Sequence, residues 1–396
     1  MNWKNCLARQ RKEDKYDDKF GFVGMKDMTY VMLKDVCNIK MGQSPNSNSY
    51  NDNGDGIPFF QGNADFGERY PVTRKWCSAP IKMAAPEDIL ISVRAPIGAM
   101  NYAKEDCCIG RGLAALTPDK SKVSPEFIFW VLKGKNVELN SKGTGSTFKA
   151  IGRKVLEETL VPDIPLEKQI EFSEILDRVY GVIQARKEEL QKLDDLIKAR
   201  FVEMFTDKRF QKTTIGSLVA NKVPTAKKSF APSDTIKYID ISSIDNKRNI
   251  MTGYTEYILE DAPSRAQQHI QKNDIVVSTV RPNLKNVAIT GYNDNNLIAS
   301  SGFCVLRVEK CLPSYLMAIV CSDDFTNAMT KVVTGANYPA IKDSDVKNYV
   351  IPVPPIDLQN EFAKFVEETD KSKVAIQKSL DEAQLLFDSL MQKYFG

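Results

Sequence analysis

The run LEKQIEFSEILDRVYGVIQARKEELQKLDDLIKARFVEMF, residues 166–205, decides the fold of this chain. It contains no proline and a single glycine, Gly181, and it is rich in Leu, Ile, Glu, Lys and Arg. Apolar residues recur along it at intervals of seven: Leu176, Ile183, Leu190, Ile197 and Met204. This is the spacing of a coiled-coil seam. We therefore predict one helix of about 40 residues, roughly 60 Å long at ~1.5 Å per residue.

A second copy of this pattern lies near the end of the sequence. Its seven-residue series is interrupted once, by a lysine: Val366, Lys373, Leu380, Phe387 and Tyr394. Upstream, identical residues recur at a constant offset of 190 positions: Thr144-Gly145, Ala150-Ile151, Pro162, Pro165, Gln169 and Glu171-Phe172 match Thr334-Gly335, Ala340-Ile341, Pro352, Pro355, Gln359 and Glu361-Phe362. A period this long excludes solenoids and propellers, whose units are roughly 20 to 50 residues long. It indicates a duplicated domain with a helical appendage, and hence two similar sites.

Neither long helix is stable alone, because its apolar stripe must be covered. The simplest way to cover the apolar stripe of each helix is to pack it against the other helix. Two such helices related by a pseudo-twofold axis would pack antiparallel and leave their globular domains at opposite ends. The predicted fold class is therefore α+β, with two similar mixed α/β domains separated by two long antiparallel coiled-coil helices and a pseudo-twofold internal repeat.

The two globular halves are predicted to mix strands and helices. The β-branched runs 88–93 and 274–279 are typical of short strands, and residues 125–132 and 313–320 are typical of buried helices that begin at a proline. The predicted boundaries are an N-terminal extension at 1–27, a first domain at 28–165, a first helix at 166–207, a second domain at 208–355 and a second helix at 356–396.

Composition restricts the class of protein. The chain has 396 residues, 42% of them hydrophobic, which is enough for two or three cored domains, and its net charge of +3 neither requires nor excludes a nucleic-acid partner. No apolar run approaches the ~18 residues of a membrane span, and residues 1–19 lack a signal-peptide core. We expect a soluble, cytoplasmic protein without a membrane partner. Its eight cysteines include no C-x-x-C pair, so we expect neither a zinc site nor a disulfide framework.

The sequence shows no set of catalytic residues. The one histidine, His269, cannot supply a histidine-based metal cluster. The segment Lys142–Thr147, KGTGST, lacks the full phosphate-loop pattern, and Pro354-Pro355 lacks the neighbours of an amino-methyltransferase motif. We therefore expect no catalytic residue, no metal and no cofactor in this chain.

The two segments that open the long helices resemble a known family. Leu160–Ile170 reads LVPDIPLEKQI and Val350–Asn360 reads VIPVPPIDLQN, each after a Thr-Gly turn. These segments closely resemble the specificity subunit of type I restriction-modification systems, and the resemblance extends from about Met28 to the end. The first copy departs by having Pro-Asp-Ile-Pro where the family prefers a Pro-Pro pair.

The resemblance implies a non-catalytic DNA reader within a multisubunit enzyme. Each globular half would be a target recognition domain that reads one half of a split sequence in double-stranded DNA. The helices would be the spacer that docks methyltransferase subunits, which use S-adenosylmethionine to methylate adenine. Restriction subunits, which translocate and cut DNA, would join them.

Candidate DNA contacts follow from residue type, since base edges and phosphates are bound by Arg, Lys, Asn, Gln, Ser and Thr. In the first half they are Arg94, Arg111, Lys142, Thr144, Ser146 and Lys149. In the second half they are Arg281, Asn283, Lys285, Thr334, Asn337, Tyr338 and Lys342. Candidates of second rank are Gln61, Asn63, Arg69, Ser242, Ser243, Lys247 and Arg248.

Two alternatives remain open at this point. The chain could be an adaptor whose helices and domains bind other proteins and not DNA. It could also be a DNA methyltransferase or nuclease subunit that acts alone, although the missing cofactor motif argues against this. A requirement for DNA of defined sequence separates the first alternative from the specificity subunit, and binding of S-adenosylmethionine by the pure chain tests the second.

Overall fold

The computed structural model describes residues 29–145, 149–206, 210–335 and 339–395. The chain divides into two compact units. Unit 1 holds the residues up to Ala185 together with those from Ser379 onward, and unit 2 is Arg186–Lys378. Each long helix therefore contributes one end to each unit.

In its described residues, unit 1 builds its domain from short strands and four short helices. The strands are β1 Tyr30–Met32, β2 Cys37–Met41, β3 Tyr50–Asn51, β4 Ile57–Phe60, β5 Trp76–Cys77, β6 Met83–Ala84, β7 Ile89–Ser92, β8 Met100–Tyr102, β9 Cys107–Ile109, β10 Leu113–Pro118 and β11 Leu160–Pro162. The helices are α1 Leu33–Val36, α2 Pro125–Gly134, α3 Asn136–Ser141 and α4 Arg153–Glu157, followed by the long α5 Leu166–Phe205. The strands form sheets in the orders β1-β11, β2-β10-β7-β8 and β3-β5-β4-β9-β6.

Unit 2 repeats this plan. Its strands are β12 Gln211–Thr214, β13 Thr235–Ile239, β14 Ile244–Asp245, β15 Ile250–Met251, β16 Thr255–Ile258, β17 Ala266–His269, β18 Ile275–Ser278, β19 Val287–Ile289, β20 Leu297–Ser300, β21 Phe303–Leu306 and β22 Val350–Val353. Its helices are α6 Ala226–Ser229, α7 Pro313–Val320, α8 Asp323–Lys331 and α9 Asp343–Lys347, followed by the long α10 Ile356–Phe395. The sheets have the orders β12-β22, β16-β13-β20-β17, β14-β15 and β19-β18-β21.

The sheets of the two units match in part. The order β5-β4-β9-β6 in unit 1 corresponds to β16-β13-β20-β17 in unit 2. In both, the two middle strands are parallel, β4 with β9 and β13 with β20, and the outer pairs are antiparallel. The predicted strands β7 and β18 lie inside the other main sheet, with every residue buried. The predicted fold class, two similar mixed α/β domains with two long antiparallel helices, is confirmed.

The start of each long helix packs against the end of the other. In unit 1 the rings of Phe172 and Tyr394 stack with their centroids 4.1 Å apart. In unit 2 the rings of Phe362 and Phe205 meet edge to face at 5.4 Å. Since the start of one helix meets the end of the other, the pairing within each unit is antiparallel, as predicted.

The lysine that interrupts the second seven-residue series has a partner in unit 2. The Nζ atom of Lys373 lies 2.6 Å from a carboxylate oxygen of Asp194 on α5 and 3.3 Å from one of Asp370 on its own helix. The Lys373 side chain is only 23% exposed, so the ion pair lies partly inside the seam. A polar group in such a seam favours one register and lowers stability.

Candidate nucleic-acid interface

In unit 1 the predicted glycine turn is tied to the loop that follows β7. Thr144 and Ala150 exchange two backbone hydrogen bonds across the base of the turn, at 3.0 and 2.9 Å. The N–H of Ala95 donates to the carbonyl oxygen of Lys149 at 3.0 Å. The predicted residues Arg94, Thr144 and Lys149 are all exposed and lie next to one another.

Unit 2 contains the same arrangement. Thr334 and Ala340 exchange two backbone hydrogen bonds at 2.9 and 3.0 Å. The N–H of Arg281 donates to the carbonyl oxygen of Pro339 at 2.8 Å, in the place of the bond from Ala95 in unit 1. The internal repeat therefore preserves the geometry of two adjoining loops as well as the topology of the sheets.

A buried serine at the end of each central strand fixes the loop beside the turn. The hydroxyl of Ser92 donates to the carbonyl oxygen of Arg94, and that of Ser278 donates to the carbonyl oxygen of Val280, both at 2.8 Å. The two serines correspond in the repeat, yet residue type alone gives no indication of this role. Ser92 and Ser278 are positioning residues that the sequence prediction missed.

A third loop lies beside the same strand end in both units. The N–H of Val93 donates to the carbonyl oxygen of Gly112, and the N–H of Thr279 donates to that of Gly302, both at 2.9 Å. The first of these bonds places the exposed Arg111 next to the loop that follows β7. The predicted residue Arg111 therefore belongs to the same surface as the glycine turn.

Close backbone approaches bring two glutamines to the Arg111 loop. A Cβ atom on Gly112 would lie 2.3 Å from the carbonyl oxygen of Gln61, and one on Gly42 would lie 2.2 Å from that of the residue before Arg111. Only glycine allows such approaches. Gln61, a second-rank prediction, and Gln43, which the sequence prediction missed, are both exposed there. The only sequence signal for Gln43 is the glycine that precedes it.

Two of the predicted lysines are already bound to acidic side chains. The Nζ atom of Lys142 lies 2.6 Å from a carboxylate oxygen of Glu138, and Lys285 is hydrogen-bonded to Asp323. The hydrogen bond from Lys142 lowers the pKa of Glu138, and the hydrogen bond from Lys285 lowers the pKa of Asp323. Either lysine would have to leave its acid before it could bind a phosphate.

The other predicted cations have no such competitor. Within the described ranges, no ion pair with an acidic side chain is formed by Arg94, Arg111, Lys149, Arg281 or Lys342. All five are exposed. Exposed cations that form no ion pair are suited to binding the phosphate backbone of a nucleic acid.

The predicted residues Arg281 and Lys285 flank a single turn of 3-10 helix, Pro282–Leu284. Their φ angles of 49° and 52° are in the left-handed region, which residues other than glycine rarely adopt. The turn exposes the predicted residue Asn283. Such backbone strain is concentrated at functional sites in proteins.

Arg69, a second-rank candidate, is directed toward the long helix. Its guanidinium lies 4.0 Å from a carboxylate oxygen of Asp177 on α5 and 5.2 Å from the ring centre of Tyr102. Burial raises the pKa of Asp177, and the charge of Arg69 opposes this shift. Arg69 therefore connects the domain of unit 1 to its helix.

Three predicted contacts, Ser146, Asn337 and Tyr338, lie outside the described residues, as does the predicted extension 1–27. Among the residues that are described, no group of three or more His, Cys, Asp or Glu side chains is placed to hold a metal. The ring nitrogens of His269 lie 2.9 Å from the hydroxyl of Ser229 and 2.8 Å from the carbonyl oxygen of Asn295, so both have partners within the domain. No helix of the described ranges is long and apolar enough to cross a membrane.

Comparisons with known proteins place the chain among relatives of known type. The family model for the type I restriction modification DNA specificity domain matches twice, at residues 25–194 and 208–384. The putative type I restriction enzyme MjaX specificity subunit of Methanocaldococcus jannaschii is 41% identical over 175 residues, which are 44% of this chain and 41% of that protein. The chain thus matches less than half the length of this relative.

Two further relatives match over most of the chain. The type I restriction enzyme EcoBI specificity subunit of Escherichia coli is 20% identical over 405 residues, which cover 91% of this chain and 83% of that protein. The solved S subunit of a type I restriction-modification system from M. genitalium has a TM-score of 0.57 at 14% identity, and the match covers 96% of this chain and 98% of that one. At that identity the structural match shows a shared fold alone.

Proposed function

This chain belongs to the type I restriction-modification DNA specificity family, and we propose that it is the subunit that reads a bipartite DNA target, with one domain for each half-site. One observation supports this most directly. The same backbone hydrogen bonds join a glycine turn to the loop after the central strand in both units, beside the exposed cations Arg94 and Arg281. Two copies of one surface suit a target made of two half-sites.

The chemistry of the surface suits duplex DNA. Arginine binds guanine edges and phosphates, while lysine, threonine and backbone amides hold the phosphates. In this proposal one half-site is contacted by Arg94, Arg111, Thr144 and Lys149, and also by Lys142 and Ser146. The second half-site is contacted by Arg281, Asn283, Thr334 and Lys342, and also by Lys285, Asn337 and Tyr338.

The proposed roles of recognition domain and spacer follow the domain boundaries predicted from the sequence. Residues 28–165 and 208–355 would be the two target recognition domains, and residues 166–207 and 356–396 the spacer helices. Methyltransferase subunits would dock on the helices and methylate adenine with S-adenosylmethionine as the methyl donor. Restriction subunits would complete the enzyme. The chain itself would contribute recognition without catalysis.

The test is single-molecule methylome sequencing of a host without DNA methylation. One strain expresses this chain with its neighbouring methyltransferase gene, and the control strain expresses the methyltransferase alone. We expect modified adenine in one split motif, and only in the first strain. If the two proteins co-purify in soluble form and no motif is modified, the proposal is wrong and a protein-binding adaptor becomes the better interpretation.

A further inference from the structure

One glutamine occupies the same buried position in each unit. Gln169 lies in the first turn of α5 and Gln359 in the first turn of α10, and they are only 2% and 1% exposed. A buried side-chain amide lowers stability unless its donors and its acceptor have partners. The partners of these two side chains therefore show what holds them in place.

In unit 1 Gln169 joins three segments of the chain. Its Oε1 atom accepts a hydrogen bond from the N–H of Ser124, at the start of the buried helix α2, at 2.9 Å. Its Nε2 atom donates to the carbonyl oxygen of Ile164, in the linker between β11 and α5, at 2.8 Å, and to that of Lys122 at 3.2 Å. One side chain thus connects the domain, the linker and the long helix.

In unit 2 Gln359 makes the equivalent contacts. Its Oε1 atom accepts from the N–H of Leu312, at the start of the buried helix α7, at 2.8 Å. Its Nε2 atom donates to the carbonyl oxygen of Pro354 in the linker at 2.9 Å. The two units therefore share a connection in which the amide of a glutamine holds the buried helix of the domain against the start of the long helix.

These connections lie where a domain would otherwise turn on its helix. Only residues 163–165 separate β11 from α5, and only Pro354-Pro355 separate β22 from α10. A short linker restricts the position of the domain, but rotation about the linker is opposed only by contacts beyond it. Beside the apolar packing, the hydrogen bonds of Gln169 and Gln359 require a defined orientation of the helix relative to the domain.

We propose that Gln169 and Gln359 are positioning residues that fix the angle between each recognition domain and its spacer helix, and so set the number of unread base pairs between the half-sites. This inference rests on the proposed function. Neither glutamine touches DNA in this proposal, because both are buried between the domain and the helix. Their loss should therefore relax the required gap and leave the sequences of the half-sites unchanged.

The test uses the chain assembled with its methyltransferase subunits and duplexes that carry both half-sites found by methylome sequencing. The gap is the native one, one base pair shorter or one base pair longer, and the measured quantity is the ratio of methylation rates between gaps. For Gln359→Met we expect the preference for the native gap to fall about tenfold, since a buried N–H loses its acceptor. Gln392→Met, the same change at an exposed position of α10, is the matched control and should keep the wild-type ratio.

Two further variants separate positioning from general stability. Gln169→Met should relax the gap from the other unit. Gln359→Glu keeps the acceptor for Leu312 but buries a carboxylate oxygen against the carbonyl oxygen of Pro354, so it should relax the gap at least as far as Gln359→Met. If the variants lose activity equally on all three gaps, or keep the wild-type ratio, the inference is wrong. If the wild-type assembly shows no split target at all, the proposed function has failed instead.

Discussion

Neutralising the free cations of the unit 1 surface should weaken the salt dependence of DNA binding more than neutralising a cation that is already paired. The double variant Arg94→Gln, Lys149→Gln removes two exposed charges that form no ion pair with an acid in the described ranges. The single variant Lys142→Gln removes a charge that lies 2.6 Å from Glu138. All three residues belong to the same group of loops, so the effects per removed charge can be compared.

The expected magnitude follows from counterion release. Each phosphate contact contributes about 0.9 to the slope of log K against log salt concentration, so losing two contacts should reduce the slope by about 1.8. Between about 50 and 200 mM salt, that difference corresponds to roughly twelvefold in affinity. Lys142 must first leave its exposed ion pair, which is worth up to about 1 kcal/mol, so its variant should change the slope by roughly half of one contact or less.

The assay is fluorescence anisotropy with a labelled target duplex, at four or five potassium chloride concentrations, on the chain assembled with its methyltransferase subunits. A matched titration of an unrelated duplex separates phosphate contacts from base contacts, because loss of phosphate contacts weakens both equally. An unchanged slope for the double variant would refute the placement of this surface on DNA. A slope change of about 0.9 for Lys142→Gln, the value of one full phosphate contact, would refute the argument from pairing.

Three further predictions concern the fold and its pH dependence. Phe362→Ala, at a fully buried ring, should lower the free energy of unfolding by about 3–5 kcal/mol in chemical denaturation. Asp274→Asn should lower the free energy of unfolding by about 3 kcal/mol in the same assay, because it leaves the guanidinium of Arg307 without its carboxylate. The carboxylate of Asp88 accepts a hydrogen bond from a hydroxyl instead, so Asp88→Asn should lower the free energy of unfolding by about 1 kcal/mol. Equal losses for these two aspartates would contradict the role of the ion pair. The pKa of Glu138 is lowered by its hydrogen bond to a neighbouring lysine. The ionised Glu138 therefore stabilises the fold above its unfolded-state pKa, and this contribution is lost as the pH falls through its folded-state pKa. The difference in melting temperature between wild type and Glu138→Gln should shrink below about pH 4.5.

The long helices were the most predictable part of the fold. A seven-residue series without proline is a local signal, and it predicted a helix that begins at Leu166 and one that begins at Ile356, as the structure has them. The compact units divide within α5, after Ala185. The reason is that the aromatic side chains at the helix ends belong to the cores of the domains.

The candidate site was only partly predictable. The repeat and the residue types located the glycine turns and Arg94 and Arg281, because both are visible within short segments. The pairing of Lys142 with Glu138 could not be predicted, since it depends on α3, a short helix that the sequence did not reveal. The same holds for Gln43, whose place beside Arg111 depends on a close approach of strands that are far apart in the sequence.

The exchange of helix ends between the two repeats has an evolutionary consequence. Phe172 of the first repeat finds its stacking partner, Tyr394, in the second, and Phe362 of the second contacts Phe205 of the first. An ancestral protein with one repeat would have completed its core by packing against the helix end of a second, identical molecule. Gene duplication and fusion would then have preserved an existing interface within one chain, so that the two halves could diverge in sequence without losing their fold.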